Sequence, residues 1–471
     1  MSHGSPVYHQ SQTPSPKPQY DVAIIGGGLS GLAAAVDLAS RGAEIILLEQ
    51  SSKLGGRCYS YIDETTGDVV DNGQHVLVGA YRHTLRYLEM IGTRKHLRAE
   101  PKLRLPLYHP EKGFAVFEVA SLPKPLHLTA GMLKFKLLTL SERRRLLSVG
   151  LALQKWNKEM EQRLSQLTVD EWLTSLHQSD EAKRCLWFPI AISIMNELPQ
   201  HASALLFARS LRATFLGSKS DARILIPTIG QTELYVDSAI TYLSERSAKI
   251  MLNAEVTSTE IVGPKVIGVQ MKDGSVIKST SVISSVPYHA LVKLLPNEAL
   301  NYHEFSSLHK LQSSPIVSIH LWFDKEFMPM DYIGLIDKNI QWLFNRRRIA
   351  KDKGTPACYL AAVISGAYEQ VGWTKEHLID ETVKDIGEVF PESQTSKLLH
   401  SVVIKEKRAT FSPTSESESF RPSVRTSLTN FYLAGDWTAT GLPATIEGAI
   451  MSGFAASKEA FEFAIKKRSE R

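Results

Sequence analysis

Residues 21–31 read Asp21-Val22-Ala23-Ile24-Ile25-Gly26-Gly27-Gly28-Leu29-Ser30-Gly31, and they decide the fold. Asp21 to Ile25 predicts a short apolar strand, and the glycines after it fit the pattern G-x-G-x-x-G. Leu32 to Ser40, rich in Ala and Leu, predicts a helix, which Arg41-Gly42 ends. Ala43 to Leu48 predicts a second strand, closed by Glu49. Strand, glycine turn, helix, strand and acid in that order are the setting in which these glycines bind a dinucleotide; outside it they would mark an ordinary tight turn. Gly26 permits the turn, Gly28 lets backbone approach phosphate, and Gly31 lets the helix pack on the strand. Leu29 and Ser30 sit at the helix N-terminus, where free N–H groups and the helix dipole favour an anion. Glu49 is placed to accept hydrogen bonds from the adenosine ribose. Gly55-Gly56-Arg57 follows, with glycines for close backbone approach and a guanidinium for a phosphate or the neighbourhood of a ring.

A second corner lies near the other terminus. Phe431, Tyr432 and Leu433 predict a strand that runs into Gly435-Asp436, and after a Pro/Gly loop a helix is expected to open at about Thr445. Two anion-favouring corners so far apart along the chain point to a cofactor long enough to be held at both ends, FAD rather than NAD. Asp436 would bind the ribityl hydroxyls. The backbone of Ala444, Thr445 and Ile446 would face the flavin pyrimidine edge, where reduced flavin gathers negative charge. Glu447 is expected to cap or position, without proton chemistry.

The chain is long enough for two or three domains, and its apolar share of 43% and charged share of 22% are those of a soluble globular protein. The net charge of +5 is too mild to imply nucleic-acid binding. Cys58, Cys185 and Cys358 stand far apart, with no metal-ligand spacing and no disulfide framework, so a reducing, cytoplasmic compartment and no metal are expected. Residues 1–19, rich in Ser, Pro, Gln and His, are expected to form a disordered tail and lack the apolar core of a secretory signal. No run reaches the ~18 apolar residues of a spanning helix.

The expected fold class is α/β: a doubly wound, Rossmann-like FAD-binding domain with a second, mixed helical and β substrate domain. The FAD domain is expected to be discontinuous, built from residues 20–82, 221–305 and 412–467. The substrate domain is expected from 83–220, mainly helical, and 306–411, mixed, with strands around Ile316–Phe323 and Tyr359–Ser365. Within the middle FAD segment, Thr232 to Arg246 predicts a helix and Ile250 to Val256 a strand. Val262–Val269 and Val276–Ile283 predict a hairpin around Asp273-Gly274. Ser412 to Ser423 reads as a polar linker. Residues 132–156 interleave leucines with basic residues. That pattern fits either helices packed on a core with a solvated basic face, or a lipid-surface contact through which an apolar substrate enters.

Further strings carry a closer resemblance. They are Asp71-Asn72-Gly73-Gln74-His75, Gly79-Ala80-Tyr81, Trp187-Phe188-Pro189 before Asn196, Trp342-Leu343-Phe344, Glu406-Lys407-Arg408-Ala409-Thr410-Phe411, and the Asp436–Gly448 run. In this order they resemble the hydroxysqualene dehydroxylase family, within the larger amine-oxidase and phytoene-desaturase flavoprotein group, over about residues 20–460. The glycine fingerprint and closing motif mark only the large group; the Asp-Asn-Gly-Gln-His and Glu-Lys-Arg-Ala-Thr-Phe strings are more specific. The resemblance implies reduction of a C30 isoprenoid, hydroxysqualene, to squalene by reduced FAD with release of water. It also implies squalene-pathway enzymes as neighbours and a place in the cytoplasm or on the inner face of the membrane. A polyprenoid desaturase or an amine oxidase is the alternative on the same fold.

A hydroxyl leaves poorly, so such chemistry needs an acid or strong hydrogen-bond donor at the departing oxygen. His75, as imidazolium, is the first candidate, with Gln74 and Asn72 beside it. Gly73, in the same motif, and Val256, beside the adenine half, complete the expected cofactor contacts. Trp187, Trp342, Phe344 and Trp437 are expected to wall an apolar substrate cavity. Each taken singly would be ordinary aromatic core.

Overall fold

The computed structural model describes residues 19–469 apart from 121, 123–125, 352, 353 and 355; the expected tail, up to residue 18, lies outside the described residues. Five parallel strands form the first sheet, in the order Lys249–Met251, Ile45–Leu48, Tyr20–Ile25, Ser279–Ser284, Phe431–Leu433. Side chains alternate along each strand. Val22, Ile24, Ile45 and Leu47 pack against helices, whereas Ala23, Ile25, Ile46 and Leu48 face a small antiparallel meander. Both faces are covered, which is why these strands read as unbroken apolar runs. The chain leaves the central strand in opposite directions on its two sides, so the crevice at the carboxyl ends beside Gly26 is where a doubly wound sheet takes its ligand.

The fingerprint helix, Leu29–Ser40, packs against the closing helix, Ile446–Ser469. A Cβ on Gly453 would collide with the Ser30 carbonyl and come within 3.0 Å of the Ala33 methyl, so the glycine sets the closeness of the crossing. Asp37, the charged interruption inside the fingerprint helix, is buried. It binds Ser457 Oγ at 2.6 Å, Arg41 at 2.7 Å and Arg86 at 2.9 Å. Arg86 belongs to helix Arg82–Met90, whose Tyr87 and Leu88 join the same core. The core on this face of the first sheet therefore takes in residues past 82, because this amphipathic helix buries its apolar stripe there.

The meander differs in detail from expectation. Its strands are Val256–Val262, Lys265–Met271 and Val276–Ile277, and Ser279–Ser284 is instead the fourth parallel strand. The short stretch Lys249–Met251 is a separate edge strand, so the expected Ile250–Val256 strand is broken in two. Thr232 to Arg246 forms a π turn, Glu233–Asp237, continued by helix Ser238–Ser244.

The second sheet has seven strands in the order Leu398–Phe411, Ser313–Phe323, Cys358–Ser365, Trp342–Asn345, Tyr332–Leu335, Arg104–His109, Gly113–Glu118. Two of these come from the insert expected to be mainly helical. Arg104–His109 pairs in parallel with Tyr332–Leu335, Leu107 opposite Gly334 and Tyr108 opposite Leu335. One face of the sheet packs on helix Lys375–Val389 through Val317, Ile319, Leu360 and Ala362. The other meets the helices of the first insert, including Leu140–Gln154, Phe188–Met195 and Ala204–Phe215. The expected linker is anchored rather than loose. Arg421 within it is buried and donates to the carbonyls of Asp436, at 3.1 Å, and Thr438.

Overpacking a close helix crossing costs about 1–3 kcal/mol. Gly453→Ala should lower the unfolding free energy by that amount in urea titration; an unchanged midpoint would show that the two helices are not in contact there.

Candidate active site

The glycine turn is shaped by sterics. Gly26 has φ +101, and a Cβ on Gly31 would strike the Gly26 carbonyl. At Gly28 a Cβ would meet nothing within 4 Å, and the helix that starts there has no side-chain cap. An open space beside uncapped N–H groups fits a dinucleotide diphosphate. Gly55 N donates to Gly27 O at 2.8 Å, and Gly28 and Gly55 form an isolated parallel bridge, so the second glycine pair lies along the first. Glu49 Oε2 accepts the Gly27 N–H at 2.7 Å and Oε1 accepts from Ser51, so this carboxylate braces the turn it is expected to serve. Val256 is buried at the start of the meander, on the same side as Leu48.

The closing corner meets this one. Gly435, at φ +146, donates its N–H to Ser452 Oγ at 2.8 Å, and Asp436 is buried with Oδ1 2.7 Å from Arg57 Nη2. Arg57 also donates to Ala409 O at 2.7 Å. Burial would lower the Arg57 pKa, but the Asp436 carboxylate outweighs it and holds the guanidinium charged. Ala444, Thr445 and Ile446 are half-buried at the opening of the closing helix, which begins at Ile446, one residue past the expected position. Thr445 Oγ1 accepts the Gly448 N–H at 3.1 Å. Glu447 turns the other way and caps helix Arg82–Met90. Its carboxylate accepts the N–H groups of His83 at 3.0 Å and Thr84 at 2.8 Å, and the Thr84 hydroxyl at 2.8 Å. Burial would raise its pKa, yet these hydrogen bonds from His83 and Thr84 bring it below the ordinary value.

The Asp71–His75 loop is tied to the same place, since Asn72 Nδ2 donates to the Arg57 carbonyl. Asp71 is buried and accepts from Ser60 Oγ at 2.6 Å and Gln231 N at 3.0 Å, with Arg346 Nη2 at 3.2 Å. Arg346, buried too, also donates to Gln74 Oε1. Gln231 Nε2 donates to the Gly73 carbonyl, and its Oε1 accepts the Cys58 thiol at 2.8 Å. His75 is half-buried. Loss of solvent lowers its pKa and the Asp71 charge only partly opposes this, so the ring is neutral at pH 7. That argues against the imidazolium expected at His75. The permanent cation at the loop is Arg346, which the sequence reading missed. Its signal was available: a guanidinium directly after the apolar Trp342–Asn345 strand, in a run of three arginines of which two are buried.

Of the four aromatics, Trp187, Trp342 and Phe344 belong to one core cluster and Trp437 to another. Trp187 is packed in the helical core, its indole N–H donating to Gln178 Oε1 at 2.9 Å. Trp437 lies in the core beneath the meander and donates to Val286 O at 3.1 Å. Trp342 and Phe344 do share a face of one strand, near Tyr332 and the half-buried Phe188, Ile190 and Ile194. Alternation along the strand puts them together, and helix Phe188–Met195 covers them.

A separate group, His109, Glu181 and Cys185, has ligand atoms within 4.8 Å of one another. His109 Nδ1 accepts two backbone N–H groups, from Glu111 and Lys112, which places the ring proton on Nε2, the atom facing Glu181. Burial and Glu181 push the Cys185 thiol up to about 12. Lys112 and Arg184 already neutralise Glu181. A protonated nitrogen, a thiol and a paired carboxylate are poor metal ligands.

A family model described as flavin containing amine oxidoreductase matches residues 29–460. The chain is 28% identical to a hydroxysqualene dehydroxylase of Rhodopseudomonas palustris, over 92% of this chain and 96% of that one. It is 27% identical to a 15-cis-phytoene desaturase of an Oncidium hybrid cultivar, over 93% and 77%. Among solved structures, an oxidoreductase from Methanosarcina mazei superposes with a TM-score of 0.72 at 17% identity, over 93% of this chain and 99% of that one.

The Glu447 cap carries a pH signature. Its pKa is lowered on folding from 4.5, so its stabilisation is present above that pH and is lost as the pH falls through the lowered value. Glu447→Gln should cost about 2 kcal/mol at pH 7, and the gap to the parent protein should close below pH 4.5 in denaturant titrations. A gap independent of pH would contradict the assignment.

Proposed function

The chain belongs to the flavin containing amine oxidoreductase family, and from that premise we propose that this FAD-dependent oxidoreductase removes the hydroxyl of hydroxysqualene to give squalene. Relatives named hydroxysqualene dehydroxylase, aligned along nearly their whole length, support this substrate. The observation that carries it is the placement of the Asp71–His75 loop between the FAD-binding corner and the face of the second sheet that bears Trp342 and Phe344. An apolar chain with one hydroxyl needs such a junction of polar loop and apolar wall.

In the net reaction a C–O bond breaks and a C–H bond forms; the carbon takes a hydride, and the departing oxygen takes a proton supplied by solvent and leaves as water. Bound, reduced FAD supplies the hydride. The chain's own residues hold and shield. Arg346, paired with Asp71, fixes Gln74 in the loop that would face the departing oxygen. His75 offers a neutral N–H to that oxygen, a hydrogen-bond donor rather than an acid. Asn72, donating to the Arg57 carbonyl, ties this loop to the flavin corner. The substrate lies against Trp342 and Phe344, while Trp437 stands by the flavin corner and Trp187 supports from within the core.

A second reading is desaturation of a polyprenoid, with hydride moving from substrate to flavin; the phytoene desaturase relatives favour it. Anaerobic incubation of photoreduced protein with hydroxysqualene decides. Squalene, one per flavin reoxidised, is expected; no squalene, together with bleaching of oxidised flavin by phytoene, would select the desaturase. His75→Ala should slow the single-turnover rate by about 10–100-fold, and an unchanged rate would remove His75 from the chemistry.

A substrate of this kind resides in lipid, and we assign the membrane contact to helix Leu140–Gln154. Leu146, Val149 and Leu153 face the core, whereas Leu140 and Leu151 are 55% and 58% exposed beside the exposed Arg144 and Arg145. No helix of the described residues is long and apolar enough to cross a membrane. Leu140→Glu with Leu151→Glu should weaken sedimentation with anionic vesicles by about tenfold at constant flavin content; equal sedimentation would leave the helix a solvated face.

A further inference from the structure

The cavity next to the Arg57–Asp436 pair is lined by two residues that the fingerprint does not account for, His289 and Arg408, together with Tyr288 and Trp437. Its walls start from the glycine turn. On one side Gly55-Gly56 lies along Gly27-Gly28 and leads directly to Arg57. On the other, Ser285 Oγ donates to the Ile25 carbonyl at 2.9 Å and the Gly26 carbonyl at 2.7 Å; His289 stands four residues further, in the first turn of helix Tyr288–Leu294. Arg57 and His289 thus reach the cavity from the two segments that flank the glycine turn.

The charge in this cavity is unbalanced. Asp436 is the one acid among its lining residues, and Arg57 already pairs with it at 2.7 Å. Arg408 is exposed, on the strand Leu398–Phe411, and has no ion-pair partner among the described residues. His289 Nδ1 is buried without a hydrogen-bond partner. Burial lowers the His289 pKa, and the charges of Arg408, Arg57 and Lys293 lower it further, so the ring faces the two guanidinium groups as a neutral hydrogen-bonding group. An anion placed among them relieves the repulsion between the two guanidinium groups and gives Arg408 and His289 the partners they lack.

We propose that Arg408 and His289 join Arg57 as the basic side of a diphosphate cleft, facing the helix N-terminus at Gly28 across the diphosphate of FAD. This rests on the flavin assignment and not on the identity of the reduced substrate. Charge rather than hydroxyl recognition defines the cleft, so the cleft distinguishes FAD from riboflavin, which has the same ring and ribityl chain but no phosphate.

Full-length protein, stripped of flavin, is titrated with FAD and separately with riboflavin, following flavin fluorescence. Arg408→Ala should weaken FAD by about tenfold and leave riboflavin within about twofold, with Arg408→Lys between parent and Ala. His289→Ala should weaken FAD in the same selective way. Added salt should weaken FAD more in the parent than in Arg408→Ala. FAD affinity unchanged in Arg408→Ala, or an equal loss for riboflavin, would overturn the proposal. Arg408 is exposed, so its replacement leaves the fold intact, and a thermal melt without flavin checks this. A parent protein that binds FAD but leaves hydroxysqualene unchanged contradicts the dehydroxylation proposal and leaves this one standing.

Discussion

Arg57 and Asp436 are separated by 379 residues and meet at 2.7 Å. Everything else about the site depends on that pairing. It brings the second glycine pair, which lies along the fingerprint turn, against the corner that opens the closing helix. Without it the adenosine-binding half and the ring-binding half would be two unrelated turns. The Ile446–Ser469 helix makes the junction firm, because Gly453 lets it lie close on the fingerprint helix and Ser457 binds the buried Asp37. A dinucleotide held at both corners would cross this junction, and its affinity would then be coupled to the docking of the terminal helix.

The interior is crossed by a few buried charges, each bridging distant segments. Asp71 joins Ser60, Gln231 and Arg346. Glu447 caps a helix whose own N-cap, Tyr81, makes no side-chain hydrogen bond. Arg421 satisfies the carbonyls of the corner that follows Gly435. Each such group is costly to bury unless every partner is in place, so these links favour a single arrangement of the inserts over the sheet. The same rigidity holds Gln74 and His75 in a fixed place beside Arg346 and Asp71.

Local pattern made the first sheet legible. Asp21–Gly31, Glu49 and Gly435-Asp436 are short-range signals tied to strand ends, and they occupy the positions expected of them. The long strands at Ile316–Phe323 and Tyr359–Ser365 were equally readable from their apolar runs, extending by a few residues to Ser313 and Cys358. Arg104–His109 was not, because a six-residue strand within a largely helical insert is defined by its parallel partner, Tyr332–Leu335, more than 200 residues away. The fourth parallel strand was taken into the hairpin because periodicity alone does not say which sheet a strand joins. His75 was read as a charged donor because its burial depends on Asp71, Cys58 and Gln231, which only the fold assembles. Trp437 was grouped with Trp187, Trp342 and Phe344 for the same reason, as aromatic character does not reveal which core a ring enters.

The most direct test is a crystal structure of the yellow, flavin-loaded protein. A single FAD should extend from Glu49, past Gly28 and Arg57, to the opening of the closing helix at Thr445, with Asp436 on its ribityl chain. A flavin touching only one of the two corners, or a protein that takes up none, would contradict the convergence on which the site is built.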